Sequence, residues 1–177
     1  MASTITRPMT FEEFEKLPNP ANGHNELHHG ETVFVAPPKH RHHFIRRRLF
    51  RLLDRAAGDA GAVSMEMGFR PQPEHEYWVA DVIFVAQDRW KSIPWDGDLT
   101  GSPELVIEVL SPSNKFAEIR DKRKMCLETG SREFRVVDID LHEVEVSTTD
   151  GHSVTYTSGQ SIPLFFGGNL AVDEIFG

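Results

Sequence analysis

Cysteine is nearly absent: Cys126 is the sole one among 177 residues. No intrachain disulfide can form and no CxxC metal motif exists, so a reducing, cytoplasmic setting is the expectation. Long hydrophobic runs are missing too. No stretch approaches the roughly 18 apolar residues of a membrane span. Met1–Thr6 has no charged segment leading into an apolar one, so neither an anchor nor a signal peptide is expected. Positive charge is scarce, with 19 Lys and Arg against 27 Asp and Glu and a formal net charge of −8. That excludes a protein that coats nucleic acid indiscriminately, because such affinity comes from neutralising phosphates. It leaves room for a local basic face, and for a carboxylate cluster that needs a cation.

What is present is ordinary for one folded domain: 39% hydrophobic and 26% charged residues, without repeats. A chain of this size buries about two thirds of its unfolded surface. One domain over 1–177 is expected, with residues 1–8 flexible.

Local patterns divide the chain. Thr10-Phe11-Glu12-Glu13 reads as a capping box that opens a short helix stopped by Pro18. Glu26-Leu27 and Glu31–Val35 flank a turn near Gly30, giving a hairpin. From Lys39 to about Ala57, the residues Ile45, Leu49, Leu52, Leu53 and Ala56 fall on one helical stripe, and Gly58 ends it. Ala62–Phe69, Val79–Val85, Glu104–Leu110 and Phe134–Asp138 read as strands. The segment with Trp90, Trp95 and Gly97 reads as a loop, where those tryptophans pack. Asn114–Thr129 reads as a helix closed by Gly130. His142–Ser147 and Val154–Thr157 form a hairpin around Asp150-Gly151. The order predicts an α/β (α+β) fold, a mixed sheet with helices on its faces.

Two of those strands each carry an acid amid apolar neighbours: Asp81 and Glu108. A buried carboxylate is costly unless it is paired or bound to a cation. Two on neighbouring strands would repel each other, and hard oxygen ligands suit Mg²⁺ or Mn²⁺. From pattern alone the alternative stays open that each acid pairs with an arginine. Lys122 lies on the helix after the Glu108 strand, with Glu118 and Cys126 at i−4 and i+4 on one face. It could reach the acids, to orient or deprotonate a water or to support charge on a phosphate. Taken alone, the lysine reads first as an i, i+4 partner of Glu118 on a solvated face.

A longer succession of residues carries a resemblance. It comprises Glu26-Leu27-His28-His29-Gly30-Glu31, Pro37-Pro38 with His42 beyond, Asp81, and Pro103 to Ser113 containing Glu108-Val109-Leu110-Ser111-Pro112-Ser113. Glu118, Lys122, Cys126 and Gly130 follow, then Glu133 to Asp138. From about residue 9 to the end, this resembles the bacterial, restriction-endonuclease-like Uma-two family of the PD-(D/E)XK nuclease superfamily. The resemblance implies a restriction-endonuclease-like mixed β-sheet flanked by helices, with N-terminal and C-terminal β-hairpins. It implies an Mg²⁺- or Mn²⁺-dependent endonuclease acting on nucleic acid, DNA first, and a homodimer. Carried over by position, Asp81 and Glu108, with the Val109 carbonyl, ligate the metal. Lys122 assists the attacking water, and Glu26 completes the acidic set. The usual ExK motif would put its lysine at Leu110; here it comes from the following helix. His42 matches a recurrent family histidine. The chain departs from the family at Ala80 for Pro, Glu118 for Asp, Cys126 for Tyr and Arg135 for Trp. Those changes leave open a catalytically silent module that binds nucleic acid or a protein partner.

Weaker signals remain. Lys39, Arg41, Arg46, Arg47, Arg48, Arg51 and Arg55 share one segment opposed only by Asp54. His42, Arg41, Arg47 and Arg48 are the candidate phosphate contacts there; a solvated helix face is the alternative. His24, His28, His29, His40, His42 and His43 lack the spacing that fixes a zinc site.

Overall fold

The computed structural model describes residues 7–111 and 116–177. The elements in order are α1 (Phe11–Phe14), β1 (His24–His28), β2 (Glu31–Val35), α2 (His40–Ala57), β3 (Gly61–Arg70), β4 (Trp78–Ala86) and α3 (Gln87–Ser92). Then come β5 (Leu99–Thr100), β6 (Leu105–Val109), α4 (Phe116–Glu128), β7 (Glu133–Asp138), β8 (Glu143–Thr148) and β9 (Ser153–Tyr156). The chain ends with β10 (Ser161–Pro163), β11 (Asn169–Ala171) and α5 (Val172–Phe176).

The Thr10 capping box forms, with the Thr10 hydroxyl accepting from the Glu13 N–H and the Glu13 carboxylate accepting from the Thr10 N–H. Of the segment expected to be flexible, Arg7 and Pro8 lie within the described residues, and Arg7 pairs with Glu13. The β1–β2 hairpin turns through His29 and Gly30, both at positive φ (52° and 76°), the backbone of a tight two-residue turn. Glu76, itself buried, accepts from the His29 N–H at 2.9 Å and from the Trp78 indole at 2.7 Å. That carboxylate ties the turn to the start of β4.

Seven strands form the main sheet in the order β5-β3-β4-β6-β7-β8-β9. β6 and β7 are parallel, and α4 is the crossover between them; β3 pairs antiparallel with β4 and β4 with β6. Every residue of β6 is buried, as befits a strand covered on both faces. On one face Ile45, Leu49 and Leu53 of α2 pack with Val82, Phe84, Leu105, Ile107 and Val109, joined by Ile162, Leu170, Val172 and Ile175. On the other, Ile119 and Cys126 of α4 pack with Ala80, Ile83, Val106, Phe134 and Val136.

One expectation needs correction, two elements are added, and one expectation lies partly outside the described residues. The segment after β4 is not all loop: Gln87–Ser92 is a helix, anchored by Arg89, which reaches Glu104 (3.0 Å) and the Ser102 carbonyl (2.8 Å). The chain beyond Thr157 adds a second small hairpin, β10–β11, and a closing helix. Asn114 and the Pro112-Ser113 break lie outside the described residues; α4 ends at Glu128, and Gly130 follows at φ 136°. Among the described residues no helix is long and apolar enough to cross a membrane.

Gly61 starts β3 opposite Ala86, and a Cβ there would lie 2.2 Å from the Val85 carbonyl oxygen. Backbone cannot yield as a flexible side chain does. Gly61→Ala is expected to cost about 1–3 kcal/mol, the usual penalty of overpacking, read as a lower midpoint in urea at unchanged slope.

Candidate active site

Sheet alternation aims Glu108. Leu105, Ile107 and Val109 face α2, so Val106 and Glu108 face α4. On α4 the buried residues are Ile119, Lys122 and Cys126, at i, i+3 and i+7. Lys122 therefore points inward at Glu108, and its ammonium lies 2.8 Å from Glu108 Oε1. It also donates to the Val79 carbonyl at 2.6 Å and lies 3.9 Å from Glu26 Oε2. Lys122 is itself buried, so a pair on a solvated face is not how it is held.

Glu26 arrives from β1, where residues 24, 26 and 28 share one face. His28 Nε2 is 2.6 Å from Glu26 Oε2, and His24 Nε2 is 3.2 Å from Oε1. The result is a buried row of acid, base and acid: Glu26 is 4% exposed, Lys122 8% and Glu108 8%.

Asp81 sits where the β4–β6 ladder stops. Backbone pairing runs through Val82↔Ile107, and beyond it the Asp81 carboxylate accepts from the Val109 N–H at 2.8 Å. Two basic side chains of α2 approach from the other side. Arg46 Nη1 is 3.5 Å from Asp81 Oδ1. His42 Nε2 is 3.2 Å from Asp81 Oδ2 and 2.8 Å from the Val109 carbonyl, so its N–H donates between them.

Electrostatics follow from this crowding. Burial, aided by the charges of Asp81 and Glu26, pushes Glu108 from its ordinary 4.5 up to about 7, although Lys122 pulls the other way. Burial alone would also raise Glu26. Lys122 and the hydrogen bonds of His24 and His28 outweigh it, and Glu26 lies below the usual carboxylate range. Burial alone would lower Lys122, but Glu108 and Glu26 hold it above the ordinary lysine value. Burial works against the charged form of His42 as well; the Asp81 hydrogen bond and charge prevail and raise it. Cys126, packed in the apolar layer, is pushed up to about 12 by burial.

The structure thus gathers Glu26, Lys122 and Glu108 on the α4 face, and Asp81, His42 and the Val109 backbone where α2 approaches; both sets lie at the same end of β4 and β6, near enough that the Asp81 charge acts on Glu108. The candidate phosphate contacts are dispersed. Arg41 binds Asp140 (2.6 Å) and the Ile139 carbonyl (2.8 Å); Arg48 donates to the Glu174 carbonyl (2.8 Å); Arg47 is exposed. His29 bridges Glu76 and Asp121, away from His42. Arg46 belongs to the site rather than to a basic surface, as does Glu66, whose carboxylate lies 2.8 Å from Arg46 Nη1. The place of Arg46, one helical turn after His42 and next to Ile45 on the apolar stripe, was the available signal. Nothing in the sequence around Glu66 marks it.

The same arrangement of sheet and helices occurs in a solved protein from Anabaena variabilis ATCC 29413, described as a "putative nuclease belonging to DUF820". The TM-score is 0.82 at 19% identity, covering 96% of this chain and 98% of that one. The architecture is therefore that of a nuclease-like fold, a mixed α+β sheet flanked by helices. The model of the Uma2 family, described as "Putative restriction endonuclease", matches residues 11–172. This chain belongs to that family. No curated protein matches it in sequence.

Proposed function

We propose that this protein is a divalent-metal-dependent endonuclease that hydrolyses phosphodiester bonds in nucleic acid, with DNA the first substrate to test. The observation that carries the reading is the buried Glu26–Lys122–Glu108 row beside Asp81. Three titratable side chains, with Glu26 and Lys122 charged, are expensive to bury for stability alone, and perturbed groups of this kind gather at functional sites.

The oxygens present fit a hard cation. Asp81 Oδ2 and the Val109 carbonyl already converge on a single His42 nitrogen, so the two are disposed to share a positive centre. Among the described residues no group of three or more His, Cys, Asp or Glu side chains stands ready to hold a metal. The fit is to two carboxylates and a carbonyl, Asp81, Glu108 and Val109, with Glu26 behind them, and Mg²⁺ usually keeps several waters as its remaining ligands. Such an ion supplies a water of lowered pKa and neutralises phosphate charge.

Lys122 has its own part. Its raised pKa keeps the ammonium protonated, so it orients the attacking water by donating to it and supports charge growing on the phosphate; it does not remove a proton. Glu26, held ionised by His24, His28 and Lys122, keeps that ammonium in place. His42, Arg41, Arg47 and Arg48 are the proposed contacts to the nucleic acid, and cutting both strands would call for a homodimer. A cytoplasmic location suits a buried free thiol.

The test is a substrate panel. Supercoiled duplex, single-stranded DNA and RNA are incubated in Mg²⁺ or Mn²⁺, with EDTA as control. Metal-dependent cleavage of at least one is expected. A second reading, a silent nuclease-fold module, is favoured by one observation: Arg46 and His42 already occupy the Asp81 carboxylate oxygens. Binding of these nucleic acids without cleavage in any metal would establish it.

A further inference from the structure

We propose that Arg46 is a positioning residue for Asp81, an internal cation whose hold on that carboxylate is set by Glu66. The proposal rests on the reading of Asp81 as a metal ligand.

Arg46 is 3% exposed. Its Nη1 is shared by two carboxylates, at 2.8 Å from Glu66 and 3.5 Å from Asp81. Nη2 lies 3.1 Å from His43 Nδ1, and Nε is buried without a partner. A guanidinium buried with an unsatisfied N–H is a poor device for stability alone.

Glu66 is unusual in its own right. Its backbone is left-handed, at φ 51°, a conformation that costs free energy for a residue with a Cβ and that gathers at functional sites. The sheet is irregular at the same place. Val63 and Met65 pack on the α2 face but Met67 and Phe69 on the α4 face. In β4, Val82 and Phe84 lie on the α2 face, while Ala80 shares the α4 face with Ile83. Alternation reverses in both strands at the Glu66–Asp81 level, between Met65↔Val82 and Met67↔Ala80. The local distortion carries the Glu66 carboxylate to Arg46 and the Asp81 carboxylate to Arg46, His42 and the Val109 N–H.

The geometry gives each acid a distinct effect. Arg46 aims Asp81. Glu66, the nearer partner, draws charge off it, so that Asp81 keeps its attraction for an added cation. Removing the Glu66 charge leaves Arg46 bearing on Asp81 alone and weakens cation binding. Removing the Arg46 charge strengthens it. An ion pair that merely fastened α2 to β3 would shift cation affinity only through a solvent-screened field, well short of tenfold, since Glu66 is half exposed.

The experiment is a Mn²⁺ titration followed by electron paramagnetic resonance on wild type, Glu66→Gln, Arg46→Gln and the double variant. Glu66→Gln should bind Mn²⁺ roughly tenfold more weakly and Arg46→Gln roughly tenfold more tightly, within the Coulomb interaction of charges about 4 Å apart in partly buried surroundings. The double variant should fall between them. Glu66→Gly, which suits the left-handed backbone, should also bind more weakly while melting no lower than Glu66→Gln. Equal affinities, or shifts of the same sign, in folded variants would overturn the proposal.

If wild type binds no Mn²⁺, the metal reading fails by itself. The positioning role is then read from melts in EDTA. Arg46→Gln should change the melting temperature much less in an Asp81→Asn background than in wild type. Additive effects would overturn it, as coupling is expected of groups in contact. If Arg46→Gln does not fold, the two Glu66 variants decide the sign.

Discussion

Replacing Lys122 by methionine is expected to unfold the protein at neutral pH or to lower its melting temperature more than any other single change in the site. Methionine fits the same space, so the lost volume is small. The lost charge is not. Lys122 is the cation between Glu26 and Glu108, and without it two buried carboxylates face each other across a low-dielectric gap. Breaking a buried pair by removing one partner costs about 3–5 kcal/mol, a large part of the ~5–15 kcal/mol that holds a typical domain together. Acid should partly rescue the variant. The low pKa of Glu26 depends first on the Lys122 charge among the groups that lower it. With that charge gone, both acids take up protons more readily in the folded chain, and Lys122→Met should gain stability relative to wild type as pH falls. Circular-dichroism melts at pH 5 and pH 8 measure this. A variant that folds as well as wild type at pH 8 would mean that the ammonium is not buried between the acids.

Neutralising Glu108 should act in the opposite sense in EDTA. The folded-state pKa is about 7 against an ordinary 4.5, chiefly through burial. The protonated form therefore favours the fold. Its contribution is full below 4.5 and is lost as pH rises through about 7. His42 adds a loss of the same sign. Its folded pKa lies above 6.5, so the stability it brings is present below 6.5 and is lost as pH rises through the folded value. Wild type in EDTA should thus melt progressively lower from pH 5 to pH 8. Glu108→Ala and the isosteric Glu108→Gln should flatten that slope, with either variant matching or exceeding wild type at pH 8. The Lys122 ammonium keeps Glu26 and the Val79 carbonyl in both. Added Mg²⁺ should raise the wild-type melt and leave the variants where they are. A variant that melts well below wild type at pH 8 in EDTA, with no Mg²⁺ stabilisation of wild type, would identify Glu108 as half of a structural ion pair.

The acids were legible because each broke a pattern. Asp81 and Glu108 interrupt apolar strands, and a charge there needs a reason that local sequence does not provide. The long amphipathic helix and the capping box were equally plain, since their signals are local and repeated. Lys122 was less so: its helical face carried Ile119 and Cys126 as well as Glu118, and only the packing of α4 on the sheet shows that the first two, and not Glu118, share its side. Arg46 and Arg135 were hardest. Both are buried, against the usual habit of arginine. Their partners, Glu66 from another element and Glu133 two residues away on the same strand, face them only in the folded sheet. The β10–β11 hairpin and the closing helix α5 escaped for a different reason. Their buried residues, Ile162, Leu170, Val172 and Ile175, belong to elements of three to five residues, too short for any periodicity to emerge. Helix α3 is short as well and has no side-chain cap.

The six histidines of the first 43 residues show how one residue type serves unlike ends. His24 and His28 hold Glu26, His29 bridges Glu76 to Asp121, and His42 sits between Asp81 and the Val109 carbonyl. Only the last stands where two candidate ligand oxygens converge.

The most direct test of the proposed centre is a time course of supercoiled DNA cleavage in Mn²⁺ by wild type and Glu108→Ala, both shown to be folded. Nicking and linearisation by wild type, abolished by EDTA and absent in Glu108→Ala, is the expected result. Cleavage by Glu108→Ala at the wild-type rate, or cleavage by wild type that persists in EDTA, would contradict a metal-dependent centre built on Asp81, Glu108 and Lys122.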